Sequence, residues 1–246
     1  PADIRGGKQM TRKLTCNAGF TLIELMIASA IFSVVIAGVI GAFWEQMRSH
    51  NTQQQILGVH QNARAAMYYI TQELRMAGFD PTGTAGAGLT ATADDGDTAD
   101  IDEFRNITRF SMDLNGNGNT ADADEDITYT LVDNQIIRTD GAGNDQTLAD
   151  NIEVLDFVYH GINPNLPNNM IRFNESNAVN NPGNIRSVNV TIIARAAVVP
   201  VISYKVEDNN EYLNIDGDSL LNKNIAPDNF RRIMLKKTVK LRNMGL

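Results

Sequence analysis

Cysteine is almost missing from this 246-residue chain: Cys16 stands alone, so no disulfide can close within it. An oxidising compartment is therefore left unused rather than excluded. Histidine is scarce as well. His50, His60 and His160 are far apart, and no Cys/His group has the spacing of metal ligands. No HExxH, G-x-S-x-G or Walker sequence occurs, so no catalytic residue is nominated and an enzyme is not expected. Gly83, Gly86 and Gly88 lack the preceding strand and following Lys-bearing helix of a phosphate loop, and 81–100 reads as a surface connection. Bases are outnumbered, 21 against 29 acids, for a net charge of −8. So acidic a chain is a poor candidate for nucleic acid. Hydrophobic residues, at 43%, still permit a sizeable core.

Charge is absent most conspicuously from Phe20 to Trp44. Those 25 residues carry only Glu24. A bilayer-spanning helix needs roughly 20 apolar residues, so the run is long enough. An acid inside it is costly, about 2.5–3.5 kcal/mol at the membrane centre, and calls for a partner. Arg12 and Lys13 lie just upstream. A basic stub and an apolar run also describe an ordinary secretory signal, and Ala28-Ser29-Ala30 offers a small-residue cleavage site. The run, however, does not stop there.

Proline is absent from Phe20 to Phe79, so one helix of about 58 residues, roughly 87 Å long, is expected. Its second half has one apolar face: Ile56, Val59, Ala63, Met67, Ile70, Leu74 and Ala77. Asn62, Arg64, Thr71 and Arg75 fall off that face, and Gly78 is a C-terminal cap ahead of Asp80-Pro81. Strands follow. Phe110, Met112 and Leu114 alternate, as do Ile127, Tyr129 and Leu131, and Asp133-Asn134 turns the chain into Ile136-Ile137. Ile152–Tyr159, with a bulge near Leu155, and Val188–Val199 are further strands. Residues 160–184 read as loop, and Phe230–Asn243 as a last strand after a polar excursion. The expected fold is α+β, a long N-terminal helix packed on an antiparallel sheet.

Gly19-Phe20-Thr21-Leu22-Ile23-Glu24, behind a basic stub, resembles the processing signature of type IV prepilins and pseudopilins. The resemblance implies the ladle form of that fold, with a leader at 1–19, a transmembrane half-helix at 20–44, an amphipathic half at 45–78 and a periplasmic domain at 79–246. Leaders of this family are short and begin with methionine, so Met10 is the expected start. A prepilin peptidase would cut after Gly19 and methylate Phe20, and Glu24 would meet the N-terminal amine of a neighbouring subunit. Loss of residues 1–19, with four bases and one acid, takes the net charge from −8 to −11. Near the other end, Phe230-Arg231-Arg232 and Thr238–Asn243 resemble PilW-type minor pilins, which take part in initiating and assembling a type IV pilus. The partners so implied are other minor and major pilins and the inner membrane. A J-type pseudopilin of type II secretion is the related alternative, and a membrane-anchored calcium or ligand module that never polymerises is the competing class.

Six bases fall within Arg231–Arg242, either a docking strip for an acidic neighbour or a solvated strand face. Asp113, Asn115, Asn117 and Asn119 place oxygens at alternate positions, with Gly118 sixth, as at the opening of an EF-type calcium loop. The fit is partial: position nine is Ala121, and the twelfth, closing position is Asp124 rather than Glu. No cofactor is required by anything in the sequence; calcium is the one candidate. The competing reading is an Asn/Gly hairpin loop held by side-chain-to-backbone bonds.

Overall fold

The computed structural model describes residues 19–90, 107–173, 181–196, 208–225, 228 and 230–244. Three Asn-x-Ser/Thr sequons of the N-glycosylation type start at Asn106, Asn174 and Asn189; the first two asparagines, the expected leader with Met10 and the strand end at Val199 lie outside the described residues. Contacts divide the chain into two units, Pro1–His50 and Asn51–Leu246.

Helix α1 spans Leu22–Met76, as the proline-free stretch predicts. Among the described residues it is the one helix long and apolar enough to cross a membrane. Within the first unit its apolar side chains, such as Phe32, Val39 and Trp44, are exposed. Two hydroxyls in this stretch satisfy themselves on the helix backbone: Ser29 donates to the Met26 carbonyl at 2.9 Å and Ser33 to Ser29 at 2.8 Å. That is how a polar side chain is tolerated where lipid offers no acceptor.

In the second unit α1 buries Ala63, Ala66, Met67, Ile70, Leu74 and Ala77. Each large aliphatic chain so covered is worth about 1.5–3 kcal/mol. Thr71, expected off this face, is only 1% exposed. Its hydroxyl donates to the Tyr68 carbonyl at 3.2 Å and accepts from Lys237 Nζ at 3.4 Å, so burial leaves nothing unpaired. Gly78 ends the helix at φ +77°, and a Cβ there would lie 2.8 Å from the Met244 side chain.

Two main sheets, rather than one, share a core with this helix face. The first is an antiparallel meander of β1 (Leu89–Thr90), β2 (Ile107–Ser111), β3 (Asp126–Val132), β4 (Gln135–Thr139) and β5 (Asp145–Asp150). Asp133 and Asn134, both left-handed at φ 49° and 61°, make the tight turn between β3 and β4. Leu114 does not continue the alternation of Phe110 and Met112. Strand β2 stops at Ser111, and Leu114 is exposed in the following loop.

The second sheet runs β11-β8-β6-β7, from β6 (Ile152–Asn163), β7 (Leu166–Arg172), β8 (Ile185–Arg195) and β11 (Arg232–Lys240). Its β6–β8 register shifts between Ile152 and Val154, ahead of the expected bulge at Leu155. Residues 160–172 are not loop: β6 continues to Asn163 and β7 pairs back on it. The polar excursion holds a small hairpin, β9 (Glu211–Leu213) with β10 (Ser219–Asn222). The fold is α+β.

Candidate functional site

Gly19 and Phe20 precede α1, and Phe20 is 90% exposed. The next residue, Thr21, caps the helix. Its backbone N–H and its hydroxyl both donate to Glu24 Oε2, at 2.8 and 2.9 Å, while the Glu24 N–H donates to Thr21 Oγ1 at 3.3 Å. This is a reciprocal capping box, with the carboxylate beside the positive end of the helix dipole. Glu24 thus has work within its own chain, and its two carboxylate bonds fall on one oxygen. Thr21 was not among the expected functional residues. The Thr-x-x-Glu spacing is the signal that finds it.

The Asp113 loop joins β2 to β3 and is tied to the end of α1, since the Asp113 N–H donates to the Phe79 carbonyl at 2.7 Å. Asp113 is fully buried. Its Oδ1 accepts from the Gly116 amide at 2.6 Å and its Oδ2 from the Gly118 amide at 3.0 Å. Gly118 is left-handed, φ +82°, as the sixth position requires, and a Cβ there would meet Thr84 Oγ1 at 2.8 Å. The carbonyl oxygens of Asn115, Asn117 and Asn119 accept from the amides two residues on. The side-chain amides of Asn115 and Asn117 donate to Asp122 Oδ2 at 2.9 and 2.6 Å.

Asp124, the expected closing acid, does not close this loop. It sits at φ +65°, and its carboxylate pairs with Arg138 at 2.8 Å. Arg138 also binds Glu73 of α1 at 3.1 Å, and Tyr129 donates its hydroxyl to the same carboxylate. Burial, then the neighbouring Glu73 charge, push the Tyr129 hydroxyl well above its ordinary range. The acid that turns into the loop is Glu125, one residue later. It is 2% exposed, and its Oε1 accepts from the Leu114 and Asn115 amides at 2.9 and 3.1 Å. Its Oε2 is buried with no hydrogen-bond partner. Among the described residues no group of three or more acidic, histidine or cysteine side chains is placed to hold a metal ion, so a site in this loop would have to mix carboxylate and carboxamide oxygens.

The basic run at Arg231–Arg242 is not a uniform strip. The Arg232 side chain is 0% exposed and binds Glu153 at 2.6 Å, Asp208 at 2.7 Å and Asp228 at 2.6 Å. Lys223 adds a second cation, 3.0 Å from Asp228. Hydrogen bonds from Arg232 hold the Asp228 carboxyl well below the usual carboxylate range. Burial works against the Asp208 carboxylate, but the bonds from Arg232, Tyr212 and Asn210 outweigh it and lower it too. Lys236 donates to the Asn214 carbonyl at 3.2 Å and Lys237 to Thr71. Arg231, Lys240 and Arg242 remain exposed.

Two other features are put to internal use. The amides of Thr82, Gly83, Ala85 and Gly86 all donate to the Asp80 carboxylate, which takes the place a phosphate would need. Asn189, the sequon inside the described residues, is buried in β8 and accepts from Thr238 at 2.7 Å.

Two family models match this sequence. The Prokaryotic N-terminal methylation motif covers residues 14–40, and Type IV Pilus-assembly protein W covers residues 115–243. No curated protein matches. Among solved structures, a type IV-like pilin from Thermus thermophilus is similar with a TM-score of 0.44 and 10% identity, over 76% of this chain and 98% of that one.

Proposed function

This chain belongs to the Type IV Pilus-assembly protein W family, and from that we propose that it is a minor pilin acting in the initiation and assembly of a type IV pilus. The observation that carries the reading is the head of α1: an exposed Gly19-Phe20 junction, then a Thr21–Glu24 cap, then a charge-free run from Leu25 to Trp44. The basic residues Arg12 and Lys13 favour a cytoplasmic N-terminus, with the sheet domain on the periplasmic side of the inner membrane. A prepilin peptidase removes residues 1–19, and Phe20 becomes the methylated N-terminus.

In the filament, Glu24 faces the N-terminal amine of a neighbouring subunit. An amine and a carboxylate brought into one apolar environment each relieve the cost of burying the other. A plain membrane anchor could use that acid only for the Thr21 cap. Its presence also fits a subunit that has another above it. What favours a pilus over a secretion machine is the family match across 115–243.

N-terminal mass analysis of the mature protein tests the processing step. Methylated Phe20 is expected; an N-terminus after Ala30, or an intact leader in cells with an active prepilin peptidase, contradicts it. Glu24→Ala tests assembly. It should leave insertion and cleavage intact while its recovery in sheared pili, and its crosslinking to other pilins, fall several-fold. Unchanged incorporation would rule out the pairing role.

A further inference from the structure

The geometry points to a calcium site in the second unit, built from the Asp113 loop and closed by Glu125. It goes beyond the assembly reading and does not depend on it.

Two carboxylates, Asp113 and Glu125, are drawn inside at the base of this loop, 0% and 2% exposed. They are brought together by the strands, because β2 and β3 pair Ser111 with Asp126 and the Met112 N–H donates to the Glu125 carbonyl at 2.8 Å. The bonds recorded for them come from backbone amides and, for Asp113, the Thr82 hydroxyl at 3.5 Å. Neither has a lysine, arginine or histidine within ion-pair distance among the described residues. Two buried negative charges without a cation are expensive.

Glu125 Oε2 makes the deficit specific, since it is buried with no partner at all. A cation beside that oxygen would supply the partner it lacks. Asn115 and Asn117 have their amide nitrogens tied to Asp122, so the carbonyl ends of both side chains are held toward the loop backbone. Asp113, Glu125 and those carbonyl oxygens, with a backbone carbonyl at Asn119, form an all-oxygen set of two formal charges. That is the hard, mixed set that calcium accepts in flexible geometry, whereas magnesium demands a tighter octahedron and keeps its waters.

On this proposal the EF-type loop keeps its opening and has its closing residue moved by one. Asp124 occupies the twelfth position but is left-handed and turned to Arg138, and this extra residue delivers Glu125 into the place that a longer acid fills. With only two carboxylates, affinity should fall in the weak extracellular range, Kd of roughly 0.1–1 mM.

The experiment is calorimetry on the full chain in detergent micelles, stripped with chelator and titrated with calcium chloride. Saturable heat at one ion per chain is expected, at least tenfold weaker in Glu125→Gln and unchanged in Asp124→Asn. Magnesium chloride should give at most a small fraction of that affinity. Near-ultraviolet circular dichroism of the stripped variants shows whether each is folded, so a lost signal in a folded Glu125→Gln chain counts for the site. No binding by the wild type up to about 10 mM, beyond the weakest such modules, overturns the proposal. Loss of binding in Asp124→Asn with retention in Glu125→Gln overturns the assignment of Glu125.

Discussion

The second unit draws carboxylates inside in two places and treats them in opposite ways. Around Arg232, three acids converge on one buried guanidinium, and Lys223 adds a second charge. In the Asp113 loop, two acids face backbone amides, and one oxygen of Glu125 faces nothing. The first region carries its own cation. The second holds no such cation among the described residues, and that is what the proposed calcium would supply. Amides alone stabilise a carboxylate, but each is a partial charge and none can balance a full one.

The largest expected effect breaks the self-sufficient side. Arg232→Met keeps bulk but takes the shared guanidinium from three carboxylates, of which only Glu153 and Asp228 keep Lys223, so it should cost about 3–5 kcal/mol in denaturant unfolding of the full chain. A cost near zero would mean that water already screens those acids, and the contrast with the loop would lose its meaning. Acid probes the same side more gently. Asp228 is held below its ordinary value of 3.8, so its contribution is intact above that pH and is lost as pH falls through the lowered value. Wild-type stability should hold from neutral pH down to about 5 and drop below about 4, and the drop should flatten in Arg232→Met. An equal slope in both proteins would place the acid sensitivity elsewhere.

On the other side, Asp113→Ala removes the acceptor for the Gly116 and Gly118 amides. It should cost about 1–3 kcal/mol even in chelator, since two partly buried amides lose their acceptor. Asp124→Asn is the smallest change. Its carboxylate is largely exposed, so losing the bond to Arg138 should cost less than about 1 kcal/mol.

Much of this was legible before any coordinates. The helix, its buried stripe from Ala63 to Ala77 and the Asp133-Asn134 turn follow from spacing and turn chemistry, because periodicity is read directly from residue type. Strand β7 was not legible. It is an exposed sheet edge carrying Pro167, Asn168 and Asn169, so no alternation marks it. Strand β5 hides for a similar reason, with Leu148 and Ala149 its only residues turned toward the core. Arg232 looks like its basic neighbours in sequence; only the fold brings Glu153, Asp208 and Asp228 to it. Glu125 was missed because a count of twelve assumes a regular loop. A left-handed Asp124 turns to Arg138 instead, and the acid after it turns into the loop. At the head of α1 the junction and Glu24 were legible, while the cap that Thr21 makes was overlooked although its spacing was in plain view.

The contrast between a resident cation and a borrowed one is tested most directly by melting the wild type and Glu125→Gln, full chain in micelles, with chelator and with millimolar calcium chloride. Without calcium, Glu125→Gln trades a buried charge for a buried amide, so the two proteins should melt within a few degrees of each other. With calcium, the wild type should rise by several degrees and the variant should not. A variant that melts lower in chelator, with no calcium-dependent rise in the wild type, would contradict the account: Glu125 would then be a plain structural carboxylate that needs no ion.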